Sequence, residues 1–169
     1  MCGHDTSNRP RGGALAVLSP SRSASPTTDD CPTVPDGMLL RGDLAFHTPG
    51  DPNSSTATHA RWTGSGGSAL EGLVVVIHRS GDMTRRSEEC GLFHQFALAK
   101  AAAVPTAEDA FELALDEPVS LEVGEGGIIG RRVSIFSSSS FQRPPSTGEA
   151  AVAEGIVGFN FMQPVAASL

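Results

Sequence analysis

Cys90 and His94 are the residues whose types and spacing point most directly to chemistry. On an α-helix, residues four apart share one face, where the thiol could act as a nucleophile and the imidazole as its base. A covalent mechanism would also need a third group that orients the imidazole, and a lowered thiol pKa. The alternative is a small buried cysteine near a core histidine, and the sequence leaves both interpretations open.

The other histidines in the first half of the chain give no metal-binding pattern. His47, His59 and His78 are far apart in the sequence, and adding His78 to Cys90 and His94 does not produce the spacing of a known ligand set. We therefore predict no metal site and no cofactor. These three histidines are interpreted as structural or solvated.

The segment that must position the thiol and the imidazole is predicted to be a buried helix over 87–103. Ser87 is a suitable N-cap, and Glu88 and Glu89 place negative charge at the positive end of the helix dipole. The residues that follow are strong helix formers with almost no charge. A helix that is apolar nearly all round is typical of one packed inside a sheet.

Most of the remaining folded part is predicted to be strand. Residues 73–77 are a β-branched run too continuous for a strand with one solvated face. The alternation of apolar residues over 111–123 favours a strand, although 106–115 could also form a capped helix. Further strands are predicted at 38–46, 128–136 and 150–162.

Residues 47–67 are rich in Pro, Gly, Ser, Thr and Asn, which predicts a long loop with Trp62 as its anchor. The resulting order is strand, loop, strand, helix and three strands. This order predicts an α+β fold in which an antiparallel sheet surrounds one central helix.

Composition limits the function and the organisation of the chain. A net charge of −7 disfavours binding to the phosphates of nucleic acids. The sequence has no run of about 18 apolar residues, so no membrane span is predicted. Three widely separated cysteines do not form a disulfide framework and favour the reducing cytoplasm. Residues 1–34 are predicted to be a disordered arm, 35–165 one domain, and 166–169 a short tail.

Four stretches resemble segments of a known enzyme family. PDGMLL at 35–40 resembles its opening element, and ECGLFHQFA at 89–97 stands where its helix begins. DEPVSLEV at 116–123 is similar to the strand after the helix, and GEAAVAEGIVGFNFMQP at 148–164 is similar to the last strand. The family comprises hotdog-fold 3-hydroxyacyl-thioester dehydratases of acyl carrier protein pathways, and the resemblance spans 35–165.

The resemblance implies a hotdog-like sheet around a central helix. It also implies a dehydratase, a lyase acting on 3-hydroxyacyl chains carried on acyl carrier protein in polyketide or fatty-acid biosynthesis. By resemblance, the chain pairs as a homodimer or as a heterodimer with another hotdog subunit. His94 and Asp36 would form the catalytic acid–base pair, and Gly91 and Cys90 would bind substrate at the start of the helix, where N–H groups stabilise charge on the thioester carbonyl.

The sequence departs from the family at both catalytic positions. Asp36 stands where the family has a histidine, and His94 stands where it has an acid. Either the pair has been exchanged, or the chain is the non-catalytic half of a heterodimer. A hotdog thioesterase and a non-enzymatic small-molecule-binding or interaction module stay open as alternatives. The arginine doublets at 85–86 and 131–132 are interpreted as surface charge or as contacts to the phosphopantetheine phosphate of a carrier protein.

Overall fold

A computed structural model describes residues 12–21, 40–64, 72–98, 104–107, 110–137 and 151–160. In these ranges the chain forms ten β-strands and a short turn of 3-10 helix, Ser87–Cys90. No helix in the described ranges has the length or apolar character needed to cross a membrane. The strands are β1 (Ala14–Leu18), β2 (Gly42–His47), β3 (Thr56–Gly64), β4 (Leu73–His78), β5 (Leu92–Leu98), β6 (Val104–Ala107), β7 (Ala110–Val123), β8 (Gly127–Ile129), β9 (Arg132–Ser137) and β10 (Ala153–Phe159).

All ten strands belong to one sheet. Nine of them lie in the order β5-β4-β9-β10-β1-β2-β3-β7-β6, and β8 pairs beside β7. Every ladder is antiparallel except the short one between β7 and β8, which is parallel. The first and last described strands, β1 and β10, are therefore neighbours in the middle of the sheet. Strand β5 forms one edge, and β6 and β8, which both pair with β7, form the other.

The sheet curls back on itself so that its two halves share one core. Phe46 of β2 and Phe96 of β5 meet edge to face, with ring centroids 6.2 Å apart. Five inter-strand steps separate β2 from β5 in the sheet, which would be about 24 Å in a flat sheet. The curl places small side chains at the middle of the sheet, where Ala14, Ala16 and Ala153 are completely buried.

The predicted α-helix over 87–103 is wrong, and so is the α+β, hotdog-like fold with an antiparallel sheet wrapped around one central helix. Ser87–Cys90 forms only a 3-10 turn, which ends at Gly91, where φ is 68°. This backbone conformation favours glycine and redirects the chain into β5. Residues 99–103 lie outside the described residues.

Strand β5 forms because the side chains of this segment can alternate between the core and the outer face of the sheet. Phe96 and Leu98 are buried, whereas Gln95 and Ala97 are exposed. Pairing with β4 also satisfies backbone hydrogen bonds along the strand. Together these gains exceed the helix propensity of the segment, which is a weak preference. A β-bulge at the start of β5 interrupts the alternation.

The folded part of the chain also begins earlier than predicted. Residues 14–18, expected within the disordered arm of 1–34, form the central strand β1, and Ala14, Ala16 and Leu18 point into the core. Residues 1–11, 22–34 and the tail at 166–169 lie outside the described residues.

The remaining strand predictions have mixed outcomes. The strands expected at 73–77 and 111–123 are confirmed as β4 and β7. The loop expected at 47–67 is wrong over 56–64, which form β3, although Trp62 is the buried anchor that was predicted. The strand expected at 128–136 is divided into β8 and β9.

Candidate functional site

The residues predicted to form the site lie in the β4–β5 loop and in β5 itself. Cys90 and Gly91 end the loop, and His94 lies in β5, where its ring is 6.2 Å from that of Phe96. Asp36 lies outside the described residues, so its pairing with His94 stays a prediction. Because no α-helix begins at Cys90, the helix terminus expected to bind a thioester carbonyl is missing, and Cys90 and His94 share no helix face.

A buried polar cluster lies under the β4–β5 loop, on the sheet face opposite the core. Its central residue is Arg132, which donates hydrogen bonds to the carbonyls of Asp82 (3.2 Å) and Arg85 (2.7 Å) in the loop. The same guanidinium donates to Glu154 Oε2 at 2.5 Å, and both side chains of this ion pair are buried. Arg132 therefore ties the loop to the sheet while its charge is balanced from β10.

His78 is the second member of this buried polar cluster. Its Nδ1–H donates to the carbonyl of Gly91 at 3.0 Å, because a carbonyl can only accept, and the Ser134 hydroxyl then donates to Nε2 at 2.9 Å. Burial lowers the pKa of His78, and the nearby positive charge of Arg132 lowers it further, against the opposing effects of the Gly91 hydrogen bond and Glu154. His78 is therefore held neutral and oriented.

The hydrogen bond from Ser134 to His78 has the geometry of a nucleophile and its base, as in serine hydrolases. Ser134 is nevertheless 0% exposed and His78 is 4% exposed. The loop above them is held by the hydrogen bonds of Arg132. Because a substrate would have to displace this loop, we interpret the serine–histidine pair as structural.

Cys90 completes the buried polar cluster. Its side chain is buried, and Sγ lies 3.4 Å from the carbonyl oxygen of Asp82 and 3.8 Å from Nη1 of Arg132. The thiol therefore packs between the loop backbone and the arginine. The contacts of Cys90 serve the anchoring of the loop.

Three interactions fix consecutive residues at the start of β5. The Gly91 carbonyl accepts from His78, and the Leu92 carbonyl accepts from Nε of Arg79 at 2.9 Å. The guanidinium of Arg131 lies 3.9 Å from the centroid of the Phe93 ring. The loop and the sheet therefore hold the beginning of this edge strand in one position.

Arg131 is held in turn by the backbone around it. It donates to the carbonyls of Arg79 (2.6 Å), Gly124 (3.0 Å) and Glu125 (2.7 Å). Arg131 and Arg132 are both buried, so the doublet at 131–132 is neither surface charge nor a site open to a phosphate. The donors of Arg131 and the two Nη groups of Arg132 are used within the fold, whereas the buried Nε of Arg132 has no hydrogen-bond partner among the described residues.

A second polar cluster lies on the outer face of β2, β3 and β7. His47 Nε2 and Glu112 Oε2 are 2.8 Å apart, and the His59 ring is 6.3 Å from that of His47. Burial lowers the pKa of His47 below its usual value, and the charges of His59 and Arg61 lower it further, against the opposing effect of Glu112. Within the described ranges, no three Cys, His, Asp or Glu side chains are arranged to hold a metal ion.

The two buried histidines predict a stability that falls in acid. For each, the folded-state pKa lies below the ordinary value of 6.5. Below that pH the unfolded chain takes up protons that the folded chain rejects, so stability is fully present above about pH 6.5 and decreases towards the lower folded-state pKa values. Each histidine contributes at most about 1.4 kcal/mol per pH unit.

Urea unfolding followed by the fluorescence of Trp62, the only tryptophan, measures this effect between pH 7.5 and 5.0. The free energy of unfolding is expected to decrease over this interval in the wild type, and less steeply in His78→Gln. His94→Gln removes a histidine outside both clusters and serves as the control. A stability that is flat over the whole interval contradicts the assignment.

No family model and no curated protein matches the chain. Sequence reasoning missed Arg132, Glu154 and Ser134 as members of a site. A signal was present, since Glu154 stands within an apolar strand, where an isolated charge requires a partner. The partner could not be read from the sequence, because it lies on β9 and the pairing depends on the sheet order.

Proposed function

We propose that this chain is an interaction module that binds an extended polypeptide strand at the open edge of β5. The observation that carries the proposal is the composition of that edge: Leu-Phe-His-Gln-Phe-Ala-Leu has no Lys, Arg, Asp, Glu or Pro. Natural sheets protect their edges with charges, prolines, bulges or short strands, because an unprotected edge is a template for another strand. Only the bulge at the start of β5 is present, and His94–Leu98 continue beyond it in regular register with β4.

The opposite edge of the sheet is protected. On that side β6 has only four residues, one of which is Pro105 with no N–H to donate, and β8 has only three. The contrast between the edges supports a function for β5, since a chain under selection only for solubility would protect both. Within the described part of the chain, no strand lies on the free side of β5.

The buried polar cluster supports the same proposal. The contacts of His78, Arg79 and Arg131 fix the first residues of β5 before any partner binds. A strand held in its binding conformation loses less conformational entropy on association. The polar side chains that resembled catalytic groups therefore act as supports for a binding edge.

The dehydratase and thioesterase hypotheses are not carried into this proposal, because both depended on the start of a central helix. The alternative of a non-enzymatic interaction module is the one that we develop. A cytoplasmic location is part of the proposal, since Cys90 is a free thiol beside the edge.

A peptide-binding experiment tests the proposal. The probe is a fluorescent peptide of residues 91–98 with two lysines at each end for solubility, titrated with the full chain and followed by anisotropy. We expect saturable binding, with NMR shifts concentrated in the amides of β5. The extended peptide can make backbone hydrogen bonds along the free edge, as in other strand additions.

The matched control is the same peptide with proline at the position of Phe96. It keeps the charges of the probe but loses a central N–H, and the φ of the proline is fixed at about −65°, away from the value of an antiparallel strand. Its affinity is expected to be at least about 10-fold weaker. Equal binding of the two peptides, or shifts confined to strands other than β5, would refute the proposal.

A further inference from the structure

We infer that the strand bound at this edge is β5 of a second copy of the chain, paired antiparallel about a two-fold axis at Phe96. This inference rests on the proposed function and adds the identity of the partner. Two-fold pairing requires one surface to be complementary to itself, so that each contact occurs twice. The residues of β5 meet that requirement.

The regular part of β5 fixes the expected register. His94–Leu98 pair without interruption with β4, and Phe96 is their midpoint. Pairing about Phe96 places His94 opposite Leu98 of the second copy, and Gln95 opposite Ala97 of the second copy. These partners are an even number of residues apart, so core-facing side chains meet core-facing ones and exposed side chains meet exposed ones.

A second copy can occupy the edge without local charge repulsion. The whole chain carries −7, yet β5 has no charged residue. Antiparallel self-pairing therefore brings no like charges into opposition, a combination that destabilises neighbouring strands. The long strand β7 shows the contrast, since it carries Glu112, Asp116, Glu117 and Glu122.

The solution mass of the full chain tests the inference. We expect sedimentation equilibrium to show a reversible dimer of twice the 17.5 kDa chain mass. Ala97→Lys and Gln95→Lys each add a charge at an exposed position of β5, and each is expected to weaken dimerisation at least 10-fold. Ala114→Lys makes the same exchange at an exposed position of β7 and is expected to leave the dimer unchanged.

The register has its own measurement. In a dimer formed from a mixture of isotope-labelled and unlabelled chains, filtered NMR spectra should show contacts between Gln95 of one copy and Ala97 of the other. A dimer that survives both lysine substitutions overturns the inference. If the chain stays monomeric but the peptide binds, the dimer is refuted and the strand-binding proposal is kept. If the chain stays monomeric and the peptide does not bind, both proposals are refuted.

Discussion

Replacing Arg132 with methionine is expected to lower the free energy of unfolding by about 3–5 kcal/mol. The substitution leaves the Glu154 carboxylate buried without its cation and removes the donor to the carbonyls of Asp82 and Arg85. Methionine fills much of the volume, so the loss is mainly electrostatic. The free energy of unfolding of a small domain is about 5–15 kcal/mol, so this single substitution would remove a large part of it.

Urea unfolding followed by Trp62 fluorescence measures this loss. Arg85→Met is the matched control, because Arg85 is exposed and its 3.4 Å contact with Asp82 is a surface ion pair worth about 0–1 kcal/mol. The double variant Arg132→Met with Glu154→Leu should recover part of the loss, because it removes the uncompensated charge. If Arg132→Met is no less stable than Arg85→Met, the loop is not held by this arginine.

Truncating Phe46 to alanine is expected to cost about 3–5 kcal/mol, the range for a large aromatic residue removed from a core. Phe46 is completely buried, and its edge-to-face contact with Phe96 joins two strands that are distant in the sheet order. Removing the ring therefore opens a cavity between the two halves of the curled sheet. Thermal or urea unfolding measures the cost.

Phe159→Ala makes the same substitution in a side chain that is 47% exposed and should cost less than about 1 kcal/mol. A double-mutant cycle with Phe96→Ala isolates the contact across the core. We expect a coupling energy of about 0.5–1.5 kcal/mol, as for other aromatic pairs. A coupling of zero would mean that the two rings do not meet and that the halves of the sheet pack differently.

Several strands could be predicted from local pattern alone. The β-branched run at 73–77 gives β4, and the alternation over 111–123 gives β7. Both patterns are local, because a strand buried on two faces has a continuous apolar run and a strand buried on one face has alternating apolar and polar residues. The buried role of Trp62 follows from its size, which makes exposure costly in an otherwise polar stretch.

The predicted site was only partly recoverable from the sequence. Cys90 and Gly91 lie in the buried polar cluster, whose contacts hold the loop and the start of β5. The role of Arg132 depends on Glu154, which lies 22 residues further along the chain and reaches it through the pairing of β9 with β10. No periodic pattern in the sequence predicts this ion pair between two strands.

The sequence by itself determined that 73–77 and 111–123 are strands and that Trp62 is buried, since β-branched runs, apolar alternation and side-chain size act over a few residues. The tertiary structure alone decided that 92–98 is a strand, because its helix propensity is weak compared with the hydrogen bonds and the core contacts that β4 and Phe46 provide. It also decided that β1 and β10 meet in the middle of the sheet and that β5 is left at the edge. Those outcomes depend on energies shared between distant segments, and no single stretch of the chain contains them.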